Sequence, residues 1–303
     1  MSFRVLNSTP TRARLSCLAI TGIDVEAVQL LFESFRFPFI QNALAVIIPL
    51  ALVTGLVAVF INLRGLEFVS DGLTHAVFPG LAAGFVVAGS PGLLPGALIA
   101  AVIATLALTY FAGVGLASDT ATAITLTGMF AIGVLIVSTP GGGSTSIESL
   151  LFGHLFTVTS MEAGLAALAA GLAATLVLVT YRAQVFAAFD EDGARGAGFR
   201  TLSVNITLNL AIALVVVSAS LAVGNLLVLA LLIVPGATAR LVARKFTSMV
   251  VVSVAVAVGA SITGVLLAVV LSFTVDVPVP GGATVALMFV AVYLVTLVLR
   301  VRR

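Results

Sequence analysis

The sequence predicts an all-α, polytopic integral membrane protein with about eight to nine transmembrane helices. Of its 303 residues, 61% are hydrophobic and only 9% are charged, a composition far from that of a soluble domain. The apolar residues form runs of about 20 residues, the length that a helix needs to cross the hydrocarbon. These runs lack the period-2 alternation of a transmembrane β-barrel. A helical bundle in the bilayer is the remaining fold class.

Short breaks rich in turn formers separate the apolar runs, as at Ser90-Pro91-Gly92 and at Pro140-Gly141-Gly142-Gly143. We expect a poorly defined N-terminal extension at 1–38 and a single transmembrane domain at 39–303. Each predicted span is about one bilayer thick. The spans lie at 40–62, 67–89, 95–113, 120–139, 161–181, 202–222, 225–243, 248–273 and 282–299.

The basic residues predict the orientation of the chain. None occurs between Arg64 and Arg182, and the others cluster in a few breaks and at the two ends. Cytoplasmic loops carry an excess of Lys and Arg, so the breaks at 64, 182–200 and 240–245 should face the cytoplasm. There is no basic stripe of the kind that binds nucleic acid. Cys17 is the only cysteine, so neither a disulfide framework nor a cysteine-based zinc site is expected.

One polar pair stands at the start of an apolar run. Asp71 and His75 are four residues apart, and residues i and i+4 lie on the same face of a helix. Ionisable residues inside a membrane are costly and usually mark an ion path or a relay, so the two side chains are candidate ligands of one ion. A structural alternative stays open, in which they simply satisfy each other inside the bundle. Two ligands are too few for a complete site, so others would come from another helix, water or a second copy of the chain.

A second polar stretch lies in the predicted cytoplasmic loop near 189–200. It begins with three acids, Asp190, Glu191 and Asp192, which suit the positive end of a helix dipole. Small residues follow, and Phe199 offers an apolar contact. The pattern predicts either a short helix that seats in a groove on a soluble partner or a solvated loop.

Three asparagines lie in the apolar spans. Asn205 and Asn209 share one helical face, and Asn225 begins the next span. Buried Asn either joins helices by hydrogen bonds or lines a polar path. That next span contains Pro235-Gly236, which predicts a kink or a helix that lines a pathway.

The chain carries no G-x-x-x-x-G-K-[ST] phosphate loop, and Lys245 is its only lysine. It is therefore not expected to be an enzyme that hydrolyses ATP.

Three blocks resemble those of a known family, the permease subunits of the zinc/manganese ABC importers, often called ABC-3. The blocks at 70–80, 190–198 and 223–240 read SDGLTHAVFPG, DEDGARGAG and VGNLLVLALLIVPGATAR. Their order and spacing agree with the family over about residues 34–299. Gly72 and Gly236 stand where alanine is commoner in the family.

The resemblance implies a type II ABC importer permease fold and a multi-pass protein of the bacterial inner membrane. It implies three partners besides lipid: a cytoplasmic ATPase, an extracytoplasmic metal-binding protein and a second copy of the permease. The expected function is translocation of manganese or zinc, with no permanently bound cofactor. Asp71 and His75 would be pathway ligands, with Asn205, Asn209 and Asn225 as further pathway residues. The ATPase coupling residues would be Asp190, Glu191, Asp192, Ala194, Arg195 and Gly198.

A different class of function is also open. A self-contained secondary carrier could couple a cation to protons through Asp71 and His75. Such carriers often show inverted halves with broken helices in matching positions, and the sequence shows no such repeat.

Overall fold

A computed structural model describes residues 38–138, 160–275 and 279–302. The predicted extension at 1–38 falls almost wholly outside these residues. Within them the regular structure is helical, with a single 3₁₀ turn at Ser90–Gly92. The helices are α1 Pro38–Arg64, α2 Glu67–Ala76, α3 Phe78–Ala88, α4 Leu93–Gly113, α5 Ser118–Val137, α6 Ser160–Val179, α7 Tyr181–Phe189, α8 Glu191–Gly196, α9 Thr201–Ala222, α10 Asn225–Val242, α11 Phe246–Val275 and α12 Gly281–Val301.

The predicted all-α polytopic fold is confirmed. Among the described residues, seven helical stretches are long and apolar enough to cross a membrane, and α6 with α7 makes an eighth if that bent pair counts as one span. The apolar helix of α10, Leu227–Val242, is shorter. Each predicted span falls on one of these helices, except that the span predicted at 67–89 covers two, α2 and α3.

One predicted span is divided into two helices, and the chain bends at the end of another. The run predicted at 67–89 divides into α2 and α3 at Val77, because Pro79 has no N–H and cannot donate to the carbonyl of His75. The run predicted at 161–181 ends with α6, and α7 leaves it at an angle of 66°. Local apolarity predicted the end of the second run but not the division at Val77.

Helix α1 lies at the centre of the bundle. It packs against α6, α9, α10 and α11, and it is the most buried of the spans, whereas α5 and α12 are the least buried. Phe60 and Leu50 of α1 contribute to a core that also contains Leu208 of α9 and Leu231 of α10. Large apolar side chains remain exposed on α4, α5 and α12, as expected of surfaces in contact with lipid.

Glycines bring α3 and α4 into backbone contact. Gly80 of α3 faces Gly96 of α4, and Gly84 of α3 faces Gly92 of the 3₁₀ turn before α4. An added Cβ at any of the four would overlap a backbone oxygen of the facing glycine. Gly236 of α10 meets the carbonyl of Ala58 in the same way. In the bilayer, helices associate through close packing of this kind because the hydrophobic effect no longer drives them together.

We expect Gly96→Leu to separate α3 from α4. Overpacking of a well-packed interior costs about 1–3 kcal/mol, and here the clash is with backbone, which cannot rotate away. The measurement is the midpoint of thermal unfolding in detergent, which should fall. Gly171→Ala on α6 is the control, since an added Cβ there meets nothing within 4 Å. Equal midpoints for Gly96→Leu and the wild type would show that the contact contributes little.

Candidate metal pathway and coupling segment

Helix α2 carries the predicted pair. It follows the turn at Gly65, whose φ of 64° suits glycine, and Glu67 places an acid in its first turn, where the helix dipole favours negative charge. The face of α2 that packs in the bundle is formed by small and apolar residues, including Val69 and Leu73. Asp71 and His75 lie on the other side of the helix and are each about one-third exposed.

The side chains of Asp71 and His75 lie close together but form no hydrogen bond with each other. His75 Nε2 lies 3.7 Å from Asp71 Oδ1, which is beyond the usual range of a hydrogen bond. An ion bound to both at ordinary ligand distances of about 2.0–2.2 Å would fit between them after a small movement. This geometry is compatible with both interpretations of the pair, as ligands of one ion and as ion-pair partners of each other.

Helix α5 forms the wall beside the pair. The ring of Phe130 meets the imidazole of His75 edge to face, with centroids 6.4 Å apart, and it also contacts Phe78 across the break. A Cβ at Gly72 would overlap the side chain of Thr122 on α5. Gly72, one of the two glycines that depart from the family pattern, therefore lies at a close contact between α2 and α5.

The pair lies off the centre of its span. Helices α2 and α3 together make one span, Glu67–Ala88, with Asp71 and His75 in the half next to Arg64. Among the described residues there is no group of three or more His, Cys, Asp or Glu that could hold a metal ion. Asp71 and His75 therefore offer one carboxylate and one imidazole, a donor set that suits several divalent metals.

Two of the three asparagines line a cavity that does not include the Asp71–His75 pair. Asn205 Oδ1 accepts a hydrogen bond of 2.5 Å from Arg64, and Asn205 and Asn209 line a cavity of about 230 Å³ near the end of α1. Asp71 and His75 do not line that cavity. The side chain of Asn225 lies outside the described part of the chain.

The acidic stretch forms a short helix, α8. Asp190 caps it by accepting a hydrogen bond of 2.8 Å from the N–H of Gly193, as an N-cap aspartate does. Ala194 is fully buried and packs with Ala187 of α7 and Val204 of α9. Gly198, with φ of 90°, ends the segment. Ala194 therefore packs α8 against α7 and α9 of the same chain.

The outward side of α8 is charged and flanked by aromatic rings. Asp192 is almost fully exposed, and Arg195 lies within 4 Å of both Asp192 and Glu191. Phe189 and Phe199, on either side of α8, are also exposed. This surface, formed by Glu191, Asp192, Arg195, Phe189 and Phe199, is called the α8 face below.

One end of the bundle collects the basic residues, as the sequence predicted. Phe60 near the end of α1 contacts Tyr181 and Phe246, and Phe246 also contacts Phe189 beside α8. These contacts bring together the starts of α7 and α11 and the end of α1. Arg64, Arg182, Arg195, Arg240, Arg244 and Lys245 therefore share the end that carries α8.

Sequence reasoning missed the polar anchor at the end of α1. Arg64 Nη1 donates to Gln184 Oε1 at 3.2 Å, and Asn62 Nδ2 donates to the carbonyl of Ile233 at 3.2 Å. Arg240 Nη1 donates to the carbonyl of Asn62 at 3.0 Å. Gln184, a neutral polar residue among the apolar residues of α7, was a signal for such an anchor. The sequence does not show which residues it contacts.

The structure is a bundle of apolar helices with an ionisable pair inside the span that divides at Val77. A charged helix lies at its basic end. These features define a multi-pass membrane permease. Residues 36–300 match the model of the ABC 3 transport family. The chain belongs to that family. It is therefore the membrane permease subunit of an ABC transporter, and the family implies a complex with an ATPase and a binding protein.

Two relatives are named for metal transport. The chain is 31% identical over 262 residues to the manganese import system permease protein ScaB of Streptococcus gordonii, covering 86% of this chain and 91% of that one. It is 30% identical over 268 residues to a protein of Haemophilus influenzae named as a probable iron transport system membrane protein, covering 88% and 96%.

A solved structure has the same fold. It is PsaBC from Streptococcus pneumoniae in complex with Fab, with a TM-score of 0.75 and 28% identity, covering 89% of this chain and 95% of that one. The predicted family and permease fold are confirmed by these matches.

Proposed function

We propose that this permease carries a divalent metal ion, manganese or zinc, from an extracytoplasmic binding protein to the cytoplasm, driven by a separate ATPase. The single observation that carries the proposal is the Asp71–His75 pair. Its two side chains are 3.7 Å apart, partly exposed, and placed within a membrane span. Oxygen and imidazole nitrogen are ligands for manganese, zinc and iron alike.

A second copy of the chain would complete the site. Asp71 and His75 are each about one-third exposed, so part of each side chain is available to a neighbour. In a two-fold dimer the same patch of both copies meets at the axis, so two carboxylates and two imidazoles could share one ion. A pathway site must bind weakly enough to release its ion, and one pair per copy suits that requirement.

Manganese and zinc are the two candidate ions. The relatives' names include both manganese and iron, and carboxylate ligands suit manganese more than they suit zinc. The block at 75–80, HAVFPG, is also more like the manganese members of the family. Manganese is therefore the first ion to test.

The α8 face supports the proposed coupling to the ATPase. It presents charges of both signs flanked by two exposed aromatic rings, at the end of the bundle where the basic residues predict the cytoplasm. Asp190 caps the helix and Ala194 packs it against the permease, and the exposed ion pairs of Arg195 with Glu191 and Asp192 are accessible to a soluble partner. Residues 39–303 would form one transmembrane domain that contains this segment.

We expect the purified chain alone to hydrolyse no ATP, because it has no phosphate-binding loop. Reconstituted into proteoliposomes with its ATPase and binding protein, it should import radiolabelled manganese only when ATP is present. Collapse of the proton gradient by a protonophore should leave the initial rate unchanged. Uptake that needs a proton gradient and no ATP would instead support the secondary carrier, and ATP hydrolysis by the chain alone would contradict the assignment of the ATPase to a partner.

A further inference from the structure

The guanidinium of Arg64 joins three helices at the end of α1. Nη1 donates to Gln184 of α7 at 3.2 Å, and Nη2 donates to Asn205 of α9 at 2.5 Å. Gln184 is fully buried and donates in turn to the carbonyl of Val204 at 2.9 Å. Arg64 therefore holds together α7 and α9, the two helices against which Ala194 seats α8.

The same residue stands next to the helix that carries the ionisable pair. Only Gly65 and Leu66 separate Arg64 from α2. The N–H of Leu66 donates to the carbonyl of Ile61 at 2.9 Å, and the N–H of Ser70 donates to the carbonyl of Leu66 at 2.9 Å. The turn is thus bonded to the end of α1 on one side and to the start of α2 on the other. A shift of Arg64 would move the first turn of α2.

A cavity separates Arg64 from the first residue of α8. Arg64, Glu191 and Asn205 all line this space of about 230 Å³. Glu191 lies 3.8 Å from Arg195, and such an exposed pair contributes little. Among the described residues Arg64 has no carboxylate within ion-pair distance, and its partners are neutral amides. Glu191 and Arg64 line the same space without an ion pair between them, so α8 is linked to Arg64 through α7 and α9.

We propose that Arg64 is a positioning residue that links the α8 segment to the start of α2, so that displacement of α8 by the ATPase reaches Asp71 and His75. The proposal rests on the proposed function. A guanidinium suits this role because its planar fork reaches two partners at once in a fixed geometry, which a lysine ammonium on a flexible stem does not.

The test measures metal uptake and ATP hydrolysis together, in the full reconstituted complex. For Arg64→Ala we expect manganese uptake to fall about tenfold while ATP hydrolysis stays within about twofold, so that the ATP used per ion rises. Arg64→Lys should recover only part of the loss. Arg182→Ala is the matched control, since Arg182 is an exposed arginine on α7, and it should keep the wild-type ratio.

Two variants of Asn205 guard against a simple folding defect. Asn205→Ala removes the acceptor from Arg64 and should raise the ATP used per ion, whereas Asn205→Asp keeps an acceptor and should restore the ratio. The double variant Arg64→Ala with Asn205→Ala should use no more ATP per ion than Arg64→Ala, because the hydrogen bond between Arg64 and Asn205 is already absent in Arg64→Ala. Independent, additive losses would overturn the link.

The failure of this inference differs from the failure of the proposed function. If the wild-type complex imports no metal, the proposed function is wrong. Two results with an active wild type would overturn only this inference. Arg64→Ala could lower uptake and hydrolysis in the same proportion, or it could lower neither. In both cases Arg64 does not link α8 to α2.

Discussion

Asp71→Asn and His75→Ala should each reduce manganese uptake by at least about 10–100-fold, the range seen when even the supporting residues of a metal site are lost. Asp71→Asn keeps the shape of the side chain and removes the charge that attracts a divalent ion. His75→Ala removes the only nitrogen ligand of the pair. The measurement is radiolabelled uptake into proteoliposomes, with the basal rate of ATP hydrolysis recorded beside it.

The control for this experiment is Asp119→Asn. Asp119 lies in the first turn of α5 and is exposed, so the same chemical change there should leave uptake near the wild-type rate. Both pair variants should still insert and still copurify with the ATPase, because Asp71 and His75 do not contact α8. Uptake close to wild type in both variants would show that the pair is structural and that the ion takes another path.

Arg195→Glu should abolish uptake by detaching the ATPase from the permease. Arg195 is the one basic residue of α8 and is exposed on the α8 face. Reversing its charge leaves a helix that carries only acids, and like charges brought together across an interface cost several kcal/mol. The permease should remain folded, because its exposed ion pairs with Glu191 and Asp192 contribute little to stability.

Copurification of the ATPase with the permease measures this directly. Arg244→Glu is the matched control, a charge reversal at an exposed arginine in the turn before α11, at the same end of the bundle. We expect Arg195→Glu to lose the ATPase and Arg244→Glu to retain it. If Arg195→Glu retains both the ATPase and uptake, α8 is a solvated segment with no role in docking.

The local features of this chain were readable from its sequence. Runs of about 20 apolar residues predicted the spans, and the spacing of Asp71 and His75 predicted a shared helical face. Three acids at 190–192 suited the start of a short helix, one of two alternatives, and Asp190 indeed caps such a helix. Each of these signals depends on residues within one or two helical turns, so the sequence displays them directly.

The tertiary structure decided which distant residues meet. Nothing in the sequence pairs Arg64 with Gln184 and Asn205, or Gly84 with Gly92, because these contacts depend on how whole helices cross. The bend between α6 and α7 and the inward position of Ala194 are likewise outcomes of packing. In a bundle this apolar, almost every helix face can be buried or can face lipid, so hydropathy does not choose among them. The few polar groups and the glycines make that choice, and only the folded chain shows where they meet.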